Sequence, residues 1–158
     1  SDAHRRVKDG FAQLAERAAA ASVQLGLEPI YPGDILTKGC INSCAHGLEI
    51  VAPFTNAKLI IDLHHSWWDP DLNTTVCERS DQVALIQLCN LRIAGGMVIG
   101  RDTLSDGVLD LPQLLPSLLS EGYQGKIELE LFERDLLGRD PLALIAAFPR
   151  NLHRCLPS

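Results

Sequence analysis

The stretch "LIIDLHHSWWDP", residues 59–70, decides how the chain is read. Leu59, Ile60, Ile61 and Leu63 make the apolar run of a buried strand, yet Asp62 interrupts it and His64 and His65 follow at once. Groups that resist desolvation therefore stand where a strand runs out. Such an ending is either a solvated terminus or one wall of a site, and the ends of the other strands decide between the two.

Working outward, "HRRVKDGFAQLAERAAAASV" (4–23) has Val7, Phe11, Leu14 and Ala18 at helical spacing, with charges on the other face. "VQLGLEPI" (23–30) reads as a short strand stopped by Pro29, and "INSCAHGLEIVAPF" (41–54) as a helix capped by Asn42 or Ser43. "AKLIIDLHH" (57–65) is the second strand. A short helix is expected around residues 75–81, and "VALIQLCNLRI" (83–93) is a third strand, almost wholly apolar. "AGGMVIGRDTLSDG" (94–107) reads as a glycine-rich loop without the spacing of a nucleotide-binding one. "LPQLLPSLLSEGY" (111–123) is helical with a break or kink at Pro116, "KIELELF" (126–132) is a fourth strand, and "DPLALIAAFPRNLHRCL" (140–156) closes as a helix containing Pro149. The order is one helix and then four βα units, an α/β class with a parallel sheet and right-handed crossovers. One domain over residues 1–158 is expected.

A formal net charge of −6, with no cluster of Lys or Arg, argues against nucleic acid as partner. No apolar run approaches the roughly 20 residues of a spanning helix, and no signal-peptide pattern opens the chain, so a cytoplasmic protein without membrane contact is expected. Five cysteines, an odd number, read as reduced thiols; Cys40 and Cys44 are four apart, but packing is the better reading than metal binding. Trp67 and Trp68 read as wall residues at a strand-to-loop junction, and His64 and His65 lack the nucleophile that would make them a catalytic dyad.

In a parallel α/β sheet, ligands bind beyond the carboxyl ends of the strands. The four ends carry Glu28; Asp62 with His64 and His65; Gln87, Cys89 and Asn90; and Glu130. Three carboxylates at equivalent places repel one another, and a divalent cation relieves this. Oxygen ligands suit Mg²⁺ or Mn²⁺, and Zn²⁺ or Co²⁺ enters if a histidine takes part. Pairing with arginine or plain solvation is the competing reading. Within "KIELELF", Glu128 and Glu130 share a face, Glu128 one layer deeper.

"LGLEPIYP" (25–32), "LIIDLHHSWWDPDL" (59–72), "RDTLSDGVLDLPQL" (101–114) and "GYQGKIELELF" (122–132) together resemble the sugar phosphate isomerase/epimerase family with the xylose isomerase-like TIM-barrel fold. The resemblance runs from the first helix to the last. A whole barrel of this kind takes about 250 residues, so it implies the C-terminal half, (βα)4 with a preceding helix. It implies a divalent metal held by Glu28, Asp62, Gln87 and Glu130, with Gln87 where similar sequences have histidine and Asn90 where they have aspartate. It implies His65 and Arg101 as substrate-binding residues, Arg101 from the loop before "SDGVLDL". The implied activity is isomerisation or epimerisation of a sugar or sugar phosphate through an enediolate, with Glu28 and Glu130 as catalytic bases. A dehydratase or lyase of the same fold, and a half-barrel serving as an assembly or binding module, are the competing functions. A homodimer, or pairing with an N-terminal half-barrel, would close the open sheet.

Overall fold

The computed structural model describes residues 2–119 and 123–156. In chain order it contains α1 (Asp2–Ala20), β1 (Leu25–Leu27), α2 (Cys44–Val51), β2 (Ala57–Asp62), α3 (Leu63–Ser66), α4 (Leu72–Glu78) and β3 (Val83–Leu88). There follow β4 (Asn90–Ala94), β5 (Met97–Asp102), α5 (Leu111–Leu118), β6 (Lys126–Leu129), α6 (Glu133–Leu136) and α7 (Pro141–Arg154). Short 3₁₀ turns occupy Pro32–Asp34 and Ser80–Gln82.

β1, β2, β3 and β6 form one parallel sheet in that spatial order, so each new strand is laid on the same edge. With right-handed crossovers, winding in one direction puts every connecting helix on one face. Ala57, Leu59 and Ile61 of β2 and Val83, Ile86 and Leu88 of β3 belong to the apolar core. There they meet Ile50 and Val51 of α2, Leu72 and Val76 of α4, and Leu111, Leu115 and Leu118 of α5. Period-two alternation turns Gly26, Ile60 and Leu85 to the other, concave face. Here a Cβ on Gly26 would stand 2.3 Å from Ile60 Cδ1, so a larger residue there requires the Ile60 side chain to shift. No further strand pairs with the outer edges of β1 and β6 among the described residues. This is the parallel α/β sheet that the element order implied and the partial (βα) barrel that the resemblance implied.

Four local expectations are corrected. The second strand ends at Asp62, because the Asp62 side chain caps a helical turn by accepting the His64 N–H at 2.8 Å. His64 and His65 thus ride on α3, and strand alternation does not orient them. The third strand is interrupted at Cys89: β3 stays in the sheet, while β4 leaves it and pairs antiparallel with β5. The expected glycine-rich loop is therefore a hairpin whose Gly95 and Gly96 adopt φ of +58° and +77°, as a tight two-residue turn requires. The helix expected over 111–123 covers Leu111–Leu118, and 120–122 lie outside the described residues. Pro116 and Pro149 sit within α5 and α7 without ending either helix.

Of the two cap candidates, Ser43 caps α2, its Oγ accepting from the His46 N–H at 3.2 Å. Asn42 instead donates to the Ile30 carbonyl at 2.9 Å. Asp69, from the opening stretch, reaches across to accept the Cys44 N–H at 2.7 Å. Burial, with the Asp69 charge beside it, pushes the Cys44 thiol well above its ordinary range, and burial does the same to Cys89. Both stay protonated and unreactive at pH 8. N-ethylmaleimide is therefore expected to modify exposed Cys77 in the native chain and to reach Cys44 and Cys89 only after unfolding, as read by peptide mapping. Native labelling of Cys44 at the rate of Cys77 would contradict this packing. No helix among the described residues is long and apolar enough to cross a membrane.

Candidate functional site

Register builds the site on the concave face. Asp62 of β2 is level with Gln87 of β3, and Gln87 with Glu128 of β6. Glu28 lies one residue past β1. Glu130 lies just past β6, and its N–H extends the ladder by donating to the Leu88 carbonyl at 2.9 Å. The strands thus deliver the sequence-derived residues to one end of the sheet, where loops cover them only partly.

The α3 turn folds His65 back over Asp62. Its Nε2 lies 3.8 Å from Glu28 Oε1 and 3.9 Å from Asp62 Oδ2. The turn is held by Trp68, whose indole N–H donates to the His65 carbonyl at 2.8 Å, while Trp67 stacks on Tyr31 with ring centroids 6.5 Å apart. His65 Nδ1 accepts the backbone N–H of Tyr31 at 3.2 Å. A backbone N–H can only donate, so Nδ1 is unprotonated, and a neutral ring carries its proton on Nε2. Burial, followed by the charges of Lys38 and Arg101, lowers the pKa of His65 to about 4, so the ring is neutral at neutral pH. Nε2–H then points at the carboxylates as a donor and not as a ligand.

Arg101 lies on β5, not in a loop, and its side chain is only 3% exposed. Its Nη2 forms ion pairs with Asp62 Oδ2 and with Glu130 Oε2, the latter at 2.7 Å, and its guanidinium stands 4.6 Å from the centre of the Phe132 ring. Gln87 turns its amide nitrogen to Glu128 Oε1 at 2.7 Å and to Glu130 Oε1 at 3.3 Å. The amide oxygen is buried with no hydrogen-bond partner among the described residues. Burial raises the Asp62 carboxyl to about 7, with Arg101 and the His64 N–H opposing and Glu130 and Glu28 reinforcing the rise. Burial and the Glu130 charge also raise Glu28.

One ligand atom each from Glu28, Asp62 and His65 lie within 4.8 Å of one another. The tautomer of His65 favours oxygen donors: Glu28 and Asp62, then Glu130 and the unpartnered amide oxygen of Gln87. Such a set fits a hard divalent cation. A depression of about 330 Å³ is lined by Glu28, His65, Arg101 and Glu130, together with Lys38 and Arg134. Asn90, expected near the site, is 3% exposed and bound to the loop instead: its Oδ1 accepts the Leu109 N–H at 2.8 Å and its amide donates to the Leu109 carbonyl at 3.2 Å. Glu128 is exposed. Sequence reasoning missed Asp135, 1% exposed, whose Oδ1 accepts the Arg101 N–H at 3.1 Å and pairs with Arg92 at 3.3 Å.

Among solved structures, protein SMc04130 from Sinorhizobium meliloti 1021 matches 99% of this chain and 59% of its own length, at 27% identity and a TM-score of 0.81. The IolI protein, solved with a bound zinc atom, matches 96% of this chain and 55% of its own, at 18% identity and a TM-score of 0.74. An L-ribulose 3-epimerase matches 96% and 55%, at 19% identity and a TM-score of 0.69. The last two likenesses are of fold, and the chain spans little more than half the length of these proteins. No curated protein sequence matches it. The family described as Xylose isomerase-like TIM barrel matches residues 1–151, and the chain belongs to that family.

Proposed function

We propose that the chain carries the acidic half of a divalent-metal-dependent isomerase or epimerase that acts on a sugar or sugar phosphate. The observation that carries this reading is the convergence of Glu28 and Asp62 on a neutral histidine that offers a proton, with Glu130 joined to Asp62 through Arg101. In this reading Glu28, Asp62, Gln87 and Glu130 hold the ion, Mn²⁺ or Mg²⁺ by the hardness of the donors, with Zn²⁺ or Co²⁺ as alternatives. The ion supplies polarisation of a carbonyl. Glu28 and Glu130, just past β1 and β6 at opposite edges of the sheet, take and return the proton of the neighbouring carbon from its two faces, through an enediolate of the substrate. His65 Nε2–H donates to a substrate oxygen, and Arg101 binds another. The concave face is completed by an N-terminal half-barrel or a second copy, and the protein works in the cytoplasm.

The pairing of Arg101 with Asp62 and Glu130 favours a second reading, a binding module without turnover. Ion binding separates the two. Metal-stripped protein is expected to take up Mn²⁺ in a calorimetric titration. At a free ion concentration of 100 times Kd, the stability rises by about 2.7 kcal/mol. That corresponds to a melting shift of roughly 5–10 °C for a chain of this size. No binding at millimolar Mn²⁺, with Glu28→Gln no less stable than the parent, would leave the module as the reading.

A further inference from the structure

We infer that Arg101 is a built-in competitor for the cation: its guanidinium holds the one uncommitted oxygen of Asp62 and so sets how tightly the site takes up a divalent ion. The inference rests on the metal reading proposed above. Asp62 is fully buried and has two oxygens to offer. Oδ1 is committed to the His64 N–H at 2.8 Å, a bond that starts the α3 turn and positions His65. Oδ2 faces the Glu28–His65 side and is the oxygen that Arg101 Nη2 takes. The same nitrogen holds Glu130 Oε2 at 2.7 Å, so a single guanidinium nitrogen ties together carboxylates delivered by β2 and by the end of β6.

A divalent ion binds carboxylate oxygen at roughly 2.0–2.6 Å. An ion on Asp62 Oδ2 would therefore share that oxygen with a guanidinium that remains charged at every working pH. In a pocket where Asp62 and Arg101 are almost wholly out of solvent, repulsion between the two cations is poorly screened. Ion binding then requires the guanidinium to withdraw from Asp62. The structure holds a seat for it, because the guanidinium already lies over the Phe132 ring and keeps Glu130 as a partner. Its backbone is fixed independently, by the bond from its N–H to Asp135 Oδ1 at 3.1 Å, so only the side chain needs to move. Arg101 Nε is buried without a hydrogen-bond partner among the described residues, so the hydrogen bonds of the head group are those of Nη2 to the two carboxylates.

The test compares Mn²⁺ affinity of the metal-stripped full chain with that of Arg101→Met and Arg101→Gln, by calorimetry, with folding followed by circular dichroism. Affinity at least tenfold tighter in a folded variant, or binding in the variant where the parent shows none, supports the competition. Equal or weaker binding in the folded variants overturns it and leaves the metal reading standing. Binding by neither parent nor variants overturns both. If the variants do not fold, the parent answers through NMR of its arginine side-chain N–H groups during a Mg²⁺ titration. Displacement of the Arg101 resonance in step with ion binding supports the competition, and an unchanged resonance at saturation overturns it.

Discussion

Replacing Asp135 with alanine is expected to lower the unfolding free energy by about 3 kcal/mol, as for other buried charges stripped of one partner. The carboxylate is 1% exposed and serves three donors on three segments. Oδ1 accepts the Arg101 N–H of β5 at 3.1 Å and pairs with Arg92 of β4 at 3.3 Å, while Oδ2 accepts the Phe132 N–H at 3.2 Å. Alanine would leave the Arg92 guanidinium, itself largely buried, without this carboxylate, and would unpin the hairpin from the end of β6. Asparagine keeps one acceptor oxygen, and about half the loss is expected. Urea unfolding gives the measurement: the midpoint falls and the slope stays. A midpoint shift worth less than about 0.5 kcal/mol would mean the site behaves as ordinary surface, against its burial.

How much of the molecule is legible in its sequence varies with the range of the interaction. The helices and the four parallel strands follow from periodicity, because apolar spacing is local. The hairpin is in the letters too: Gly95–Gly96 between two apolar runs is a two-residue turn signal, masked because the preceding run joins smoothly to β3. His64 and His65 are drawn into the strand when Asp62 is weighed as a ligand and not as a helix cap, although its side chain does cap α3. Asp135 is out of reach. In "ERDLL" an aspartate looks like a solvated charge, and only the fold brings Arg92 and the Arg101 N–H to it from more than thirty residues away. Strand-end placement finds Glu28, Asp62, Gln87 and Glu130 together, because parallel register turns similar positions on neighbouring strands into neighbours in space. It cannot foresee which atoms of Gln87 and Asp62 are already engaged.

Those engagements govern the other large effect. With Glu130 as a base of the proposed reaction, Glu130→Gln is expected to slow exchange of a substrate C–H with deuterated solvent by about 10²–10⁴-fold, the range for loss of a positioned general base. The parent carboxylate is oriented before substrate arrives, because Arg101 holds Oε2 at 2.7 Å and Gln87 holds Oε1 at 3.3 Å. A glutamine there keeps the shape but cannot accept the proton, and its NH₂ would meet one of two donors, disturbing either Arg101 or Gln87. Glu28→Gln is expected to cost a similar factor for the epimer whose proton faces it, and only the double variant to lose exchange from both faces of the carbon. His65→Gln, which in the proposed reaction removes a donor to a substrate oxygen and not the base, should cost less than either. Mass spectrometry of ketoses recovered from D₂O reads all four. Exchange unchanged in Glu130→Gln but lost in Glu28→Gln would assign the proton to β1 alone and the β6 carboxylate to holding Arg101. Exchange unaffected in both would remove proton abstraction from the account of these residues.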